Sequence, residues 1–212
     1  MFSHLFHQGG AILWLIVAIG VAAVAVYVER SLHLHRARIK SDDFLKGIFN
    51  ILRRENITEA LTICDETPGP VAYIVKTAIL HRHESRETLR SAVENASLAE
   101  ISRMERRLVF IATVAQAAPL LGLLGTVLGL LDAVLVMQHQ GPLVQAGDLM
   151  GGLLKALVAT AGGLTVAIPC YAMFNVLVVR IDGIVLDMER AASETVAFLK
   201  EPKTQNGSAG RP

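Results

Sequence analysis

Three apolar runs, each closed by charge, constrain this chain more than any other feature. The first, Ala11–Val28, ends at Glu29-Arg30. The second starts at Leu108, after Arg106-Arg107, and reaches Leu131; the third runs from Ala156, after Lys155, to Val179, before Arg180. A membrane-crossing helix needs roughly 20 apolar residues, and backbone in lipid must satisfy its own hydrogen bonds. The chain therefore reads as an all-α integral membrane protein with three transmembrane helices, the second and third extended into a cytoplasmic helical bundle. No Lys or Arg precedes the first run and no clear small-residue cleavage site follows it, so it reads as a retained helix.

Charge placement sets an expected orientation. Of 20 Lys and Arg residues, fourteen lie between Arg30 and Arg107, five from Arg180 onward, and the last is Lys155. The positive-inside rule then puts both basic segments in the cytoplasm. The expected divisions are a short periplasmic N-terminus (1–10), transmembrane helix 1 (11–28), a cytoplasmic helical region (29–107) and transmembrane helix 2 (108–138). A periplasmic loop (139–150), transmembrane helix 3 (151–180), a cytoplasmic helix (181–200) and a disordered tail (201–212) follow. The net charge of +1 gives no reason to expect nucleic acid. Both cysteines, Cys64 and Cys170, fall where a structural disulfide has no route to form.

Within the cytoplasmic region, SDDFLKGIFNILRR has acidic residues at its start and basic ones at its end, as a helix dipole favours. ITEALTICDE is a second helix stopped by TPGP, and VAYIVKTAILHR a third. From Ser85 to Pro119 neither Pro nor Gly occurs, so one helix is expected from about Arg86 to Met137. Beyond Arg180, the residues Ile181, Ile184, Val185, Met188, Ala192 and Val196 predict an amphipathic face.

The second span carries Ala or Gly at 112, 115, 118, 122, 125, 129 and 133; the third has Gly152, Ala156, Ala159, Gly163 and Ala167. Such stripes let helix backbones approach in lipid, which assigns Gly122, Gly125, Gly129 and Gly163 to helix packing, with a bulky replacement of Gly125 or Gly163 expected to break a ring. Residues equidistant from the turn of an antiparallel hairpin lie at one depth. By that rule Thr126 is nearly level with Thr160, and Asp132 with Lys155. A lone threonine in a membrane helix usually bonds the preceding turn; two at one depth predict a polar collar. Pro119 and Pro169 each remove a backbone donor and can kink their helices.

The segments APLLGLLGTVLGLLDA and LLKALVATAGGLTVAIPCYAMFNVLVVRID resemble the second and third transmembrane segments of the ExbB/TolQ/MotA proton-channel family. EALTICDETPGPVAYIV is also similar to ExbB and TolQ, and three spans rather than four make those two the nearer likeness. The resemblance implies a homo-oligomer, usually a pentamer, whose second and third helices line a pore holding a helix pair from an ExbD- or TolR-like subunit. It implies Thr126 and Thr160 as pore-lining residues, Asn175 as a polar pathway position, and a TonB- or TolA-like protein as the driven partner. Lys155 departs from the glutamate many ExbB proteins carry, and with Asp132 it reads as a pair of charges at the pore mouth. Neither long run carries a carboxylate near its middle, so a proton path there needs a partner's titratable group.

The seven histidines lack a second cluster of ligands at metal spacing, so neither metal nor other cofactor is expected. No nucleotide-binding loop, nucleophile elbow or paired acid/base motif occurs, which argues against an enzyme. The expected function is a proton-channel subunit of a bacterial inner-membrane motor, with its N-terminus periplasmic and C-terminus cytoplasmic. The alternative is a passive membrane scaffold using the same stripes only to pack.

Overall fold

The computed structural model describes residues 10–37, 41–140 and 146–201. Among these, every regular element is a helix: α1 (Gly10–Ala37), α2 (Ser41–Arg53), α3 (Ile57–Glu66), α4 (Pro70–Leu80), α5 (Arg86–Glu105), α6 (Leu108–Gln140) and α7 (Ala146–Lys200). Three helical stretches, Ile12–Leu32, Arg86–His139 and Leu149–Lys200, are long and apolar enough to cross a membrane. His4, His7, the centre of the expected periplasmic loop and residues 202–212 lie outside the described residues.

The chain divides into two compact units, Met1–Leu32 with Glu105–Val179 and His33–Met104 with Arg180–Pro212. In the first, α1 packs on α6 and α7. Ala23, Val114, Ala115 and Cys170 form a buried cluster, with Ile19, Val166 and Met173 against it. The outer surface carries Leu120, Leu123, Val127, Ile168 and Val179, all more than half exposed. In water such a belt would be a liability, whereas lipid or neighbouring protein accommodates it.

The second unit centres on α4, whose Val71, Ala72, Ile74, Val75, Ala78 and Ile79 are all buried. Its start requires the TPGP stop: Gly69 has φ 131°, a backbone conformation that side chains resist, and Pro70 opens the helix without needing its missing donor. Asn56 caps α3, accepting from the Glu59 backbone N–H at 3.3 Å and donating to the Glu59 carboxylate at 2.6 Å. Ser85 accepts from the Thr88 backbone N–H at 3.1 Å and so caps α5. The end of α7 closes the unit, with Phe198 stacked on Phe49 at 4.7 Å and Arg190 paired with Asp42 at 3.0 Å.

Three details differ from the sequence reading. The helix expected from Arg86 to Met137 is divided by a two-residue turn at Arg106-Arg107. Burial does not run unbroken across that point: Leu89 and Val93 are buried, Ala99 is exposed, and a buried face resumes at Leu108, Ile111 and Val114. Helix also takes much of the expected 139–150 loop, since α6 reaches Gln140 and α7 begins at Ala146. On the last stretch of α7 the buried line is Ile181, Ile184, Met188, Ala191 and Thr195, with Ala192 and Val196 only half-buried. A threonine thus takes a core place that pattern reasoning gave to valine.

Cys64 is 4% exposed on α3. Burial, reinforced by the Asp65 charge and only partly offset by Lys76, pushes its thiol up from 9.0 to about 11. The thiolate is the reactive form, so the folded protein is expected to resist maleimide at pH 8, and labelling should rise steeply only towards pH 11. Because the folded pKa is raised, this group's stabilising contribution is present below the unfolded value and fades as pH climbs through about 11. Time-resolved labelling across pH checks this; rapid modification at pH 8 of folded protein would contradict it.

Candidate functional site

The site is built where α6 and α7 meet, and the small residues make it possible. Gly122, Gly125, Gly129, Gly152 and Gly163 are all buried, as are Ala156 and Ala159. A Cβ at Gly122 would meet the Ala159 carbonyl oxygen at 3.0 Å and the Thr160 Cα at 3.2 Å. One at Gly129 would lie 2.8 Å from both the Ala156 nitrogen and the Gly152 oxygen, and one at Gly163 2.6 Å from the Ala118 oxygen. These are backbone atoms, which cannot turn aside as a flexible side chain can. Gly125 faces the Ala159 methyl, with Ile12 of α1 at 3.6 Å. The two stripes therefore face each other within one chain and close the α6·α7 hairpin.

Close approach brings Thr126 and Thr160 into direct hydrogen bonding across the contact. The Gly122 carbonyl also accepts from Thr126 Oγ1 at 3.2 Å and from Thr160 Oγ1 at 3.4 Å. Opposite it, the Ala156 carbonyl accepts from Thr160 Oγ1 at 3.2 Å and from Thr126 Oγ1 at 3.4 Å. Each hydroxyl has one proton to donate. Two protons thus face several competing acceptors, all within reach of hydroxyl rotation. Both side chains are half-buried. By contrast, Thr113 and Thr165 are exposed and bond only their own helices, to Val109 and Ala161 at 2.7 Å each.

Towards the hairpin turn, Lys155 Nζ donates to Asp132 Oδ2 at 3.2 Å, with side chains 47% and 55% exposed. An open groove of about 470 Å³ includes this pair together with His139, Gly151 and Gly152. The structure does not bring Asn175 to the threonines. It is exposed on α7, fifteen residues beyond Thr160, or about 22 Å at the helical rise. Both α6 and α7 continue through their prolines, Pro119 and Pro169. No His/Cys/Asp/Glu group suited to a metal occurs among the described residues.

Sequence reasoning passed over one cluster. Glu29, Arg106 and Arg107 line a groove between α1 and the start of α6, with Glu29 and Arg107 in an ion pair. Their signal was the charge bounding both apolar runs, which had been read for topology alone.

The model of the MotA/TolQ/ExbB proton channel family matches residues 66–190, which include the whole α6·α7 contact. The chain belongs to that family. It is 28% identical over 179 residues to a biopolymer transport protein ExbB homolog of Methanothermobacter thermautotrophicus, covering 84% of this chain and 63% of that protein. A shorter match to the biopolymer transport protein ExbB of Aquifex aeolicus reaches 44% over 104 residues, 48% of this chain and 70% of the relative. The Tol-Pal system protein TolQ of Haemophilus influenzae is 36% identical over 110 residues, 51% of this chain and 47% of its own length. The fold also resembles the C. jejuni MotAB structure, with a TM-score of 0.59 and 16% identity over 92% of this chain and 78% of that one. With three membrane-length helical stretches, this family member is an integral membrane protein.

Proposed function

We propose that the chain is the channel-forming subunit of an inner-membrane motor that draws on the proton motive force to do work at the outer membrane. It assembles as a homopentamer around a helix pair from an ExbD- or TolR-like subunit and drives a TonB- or TolA-like protein. The N-terminus is periplasmic and the C-terminus cytoplasmic, in keeping with the distribution of Lys and Arg. One observation supports this reading above the rest: a hydroxyl pair across the helix contact, Thr126 and Thr160, placed in helices with no mid-span carboxylate. Hydroxyls relay or position a proton, but they do not hold a charge. A carboxylate from a second chain supplies what is missing.

Proton flux into liposomes tests the reading. The chain reconstituted with an ExbD/TolR-like subunit is expected to carry protons under an imposed potential, while the chain alone is not. Assembly without flux would leave a passive scaffold, and equal flux without the partner would remove the need for its carboxylate.

In this reading Asp132 and Lys155 set the charge at the pore mouth, and Asn175 adds a polar position lower in the pathway. A half-exposed ion pair contributes about 1 kcal/mol or less. Asp132→Ala and Lys155→Ala should each alter flux, and the double substitution should recover part of the change. A double-mutant cycle on flux reads the coupling directly. Strictly additive effects would reduce the pair to two neighbouring surface charges.

A further inference from the structure

At one end of the transmembrane unit, the α1 apolar run stops at Val28 and that of α6 begins at Leu108. Arg30 there is only 6% exposed and lies within electrostatic reach of both Glu29 and Arg107. Glu29 and Arg107 pair with each other. Arg106 is exposed, with no ion pair or hydrogen bond to another described residue. In the groove wall itself, two guanidinium groups, of Arg106 and Arg107, stand against the one carboxylate of Glu29, an excess of one positive charge. Glu29, Arg106 and Arg107 line an open groove of about 480 Å³ whose remaining walls are Val26 and Phe110. Apolar surface continues from it along both helices, with Val24, Val28, Val109 and Phe110 all 43% exposed or more.

This groove is charged on one side and apolar on the other, at the depth where hydrocarbon gives way to water. A soluble anion would satisfy only the charged half. An amphiphile with an anionic head satisfies both. We infer that the groove holds the headgroup phosphate of an anionic phospholipid, with its acyl chains along Val26 and Phe110. Guanidinium forks match phosphate oxygens through paired N–H donors. Glu29 occupies and orients Arg107, so Arg106 is the principal donor. In the orientation proposed above, the groove meets the cytoplasmic leaflet, whose anionic lipids attract basic side chains; that placement rests on the proposed function, whereas the site itself does not.

Native mass spectrometry of the full chain in mild detergent, titrated with phosphatidylglycerol and phosphatidylcholine of the same acyl composition, tests the site. Phosphatidylglycerol should be retained in preference. Arg106→Gln should weaken its retention about fivefold, the share of one basic side chain at an anionic surface, and Arg106→Lys should restore part of the loss. Arg90→Gln, at an exposed position in the other unit, should leave retention unchanged. Millimolar inorganic phosphate should not displace the lipid. Equal retention of the two lipids, no effect of Arg106→Gln, or an equal loss from Arg90→Gln would overturn the inference. Displacement by phosphate would instead mark a soluble-anion site and overturn it as well. Proton flux is not measured here, so failure of this site and failure of the channel reading are separate results.

Discussion

Gly163→Leu is expected to destroy the α6·α7 hairpin, the largest effect of any single substitution considered. Even a methyl group at this position would sit 2.6 Å from the Ala118 carbonyl oxygen and 3.0 Å from the Gly122 Cα. The obstruction is backbone on the opposing helix, so relief requires the helices to separate. A gap of 0.5–1 Å already forfeits roughly a quarter to a half of each dispersion contact, and the loss extends along a contact of several helical turns. Lipid offers no hydrophobic recovery, because the tails are as apolar as the side chains being separated. The cost should therefore exceed the roughly 1–3 kcal/mol usual for overpacking. Gly151→Leu is the matched control: it lies on the same helix, but a Cβ there meets nothing within 4 Å. Thermal unfolding of detergent-solubilised protein should show Gly163→Leu strongly destabilised or lost to aggregation, and Gly151→Leu close to the parent. Parental stability in Gly163→Leu would mean that the backbones do not approach as described.

That contact was legible in the sequence because lipid imposes a simple rule. Where hydrophobic burial no longer distinguishes one face from another, small residues at intervals of three and four mark the side on which helices approach. The stripes could not say which helix they meet. A stripe has the same spacing whether it closes a hairpin or joins two copies of a chain, and only the pairing of Gly129 with Gly152 and of Gly122 with Gly163 settles the matter within one chain. Depth was legible as well: the reading that levelled Asp132 with Lys155 anticipates their 3.2 Å ion pair. The turn at Arg106-Arg107 was not, since neither Pro nor Gly marks it. Thr195 was missed for a related reason. It is fully buried in the second unit, its hydroxyl without a hydrogen-bond partner among the described residues, a placement that polarity argues against.

Thr126→Val and Thr160→Val should leave the fold intact and sharply reduce partner-dependent proton flux. Valine keeps the branched shape of threonine and its restricted χ1, so the packing around Gly122 and Ala156 survives. Each carbonyl used by the hydroxyls belongs to a helix and retains its backbone partner. Polar side-chain contacts between membrane helices average only about 0.6 kcal/mol, too little for either replacement to unfold the hairpin. The consequence for conduction is different. If a protonated group or water passes the Thr126–Thr160 pair, losing one hydrogen bond to a charged species raises the barrier by about 1.5–3 kcal/mol. That is roughly a ten- to hundredfold fall in rate. Because the two hydroxyls share the same carbonyls, their effects should not add: the double valine variant should be little worse than the poorer single one. Thr160→Ser, which keeps the hydroxyl but loses the methyl group, should conduct nearly as the parent does. Flux in co-reconstituted liposomes, normalised to assembled complex, distinguishes the cases. Valine variants that assemble and conduct like the parent would make the hydroxyl pair a packing contact alone, and the proton path would have to run elsewhere.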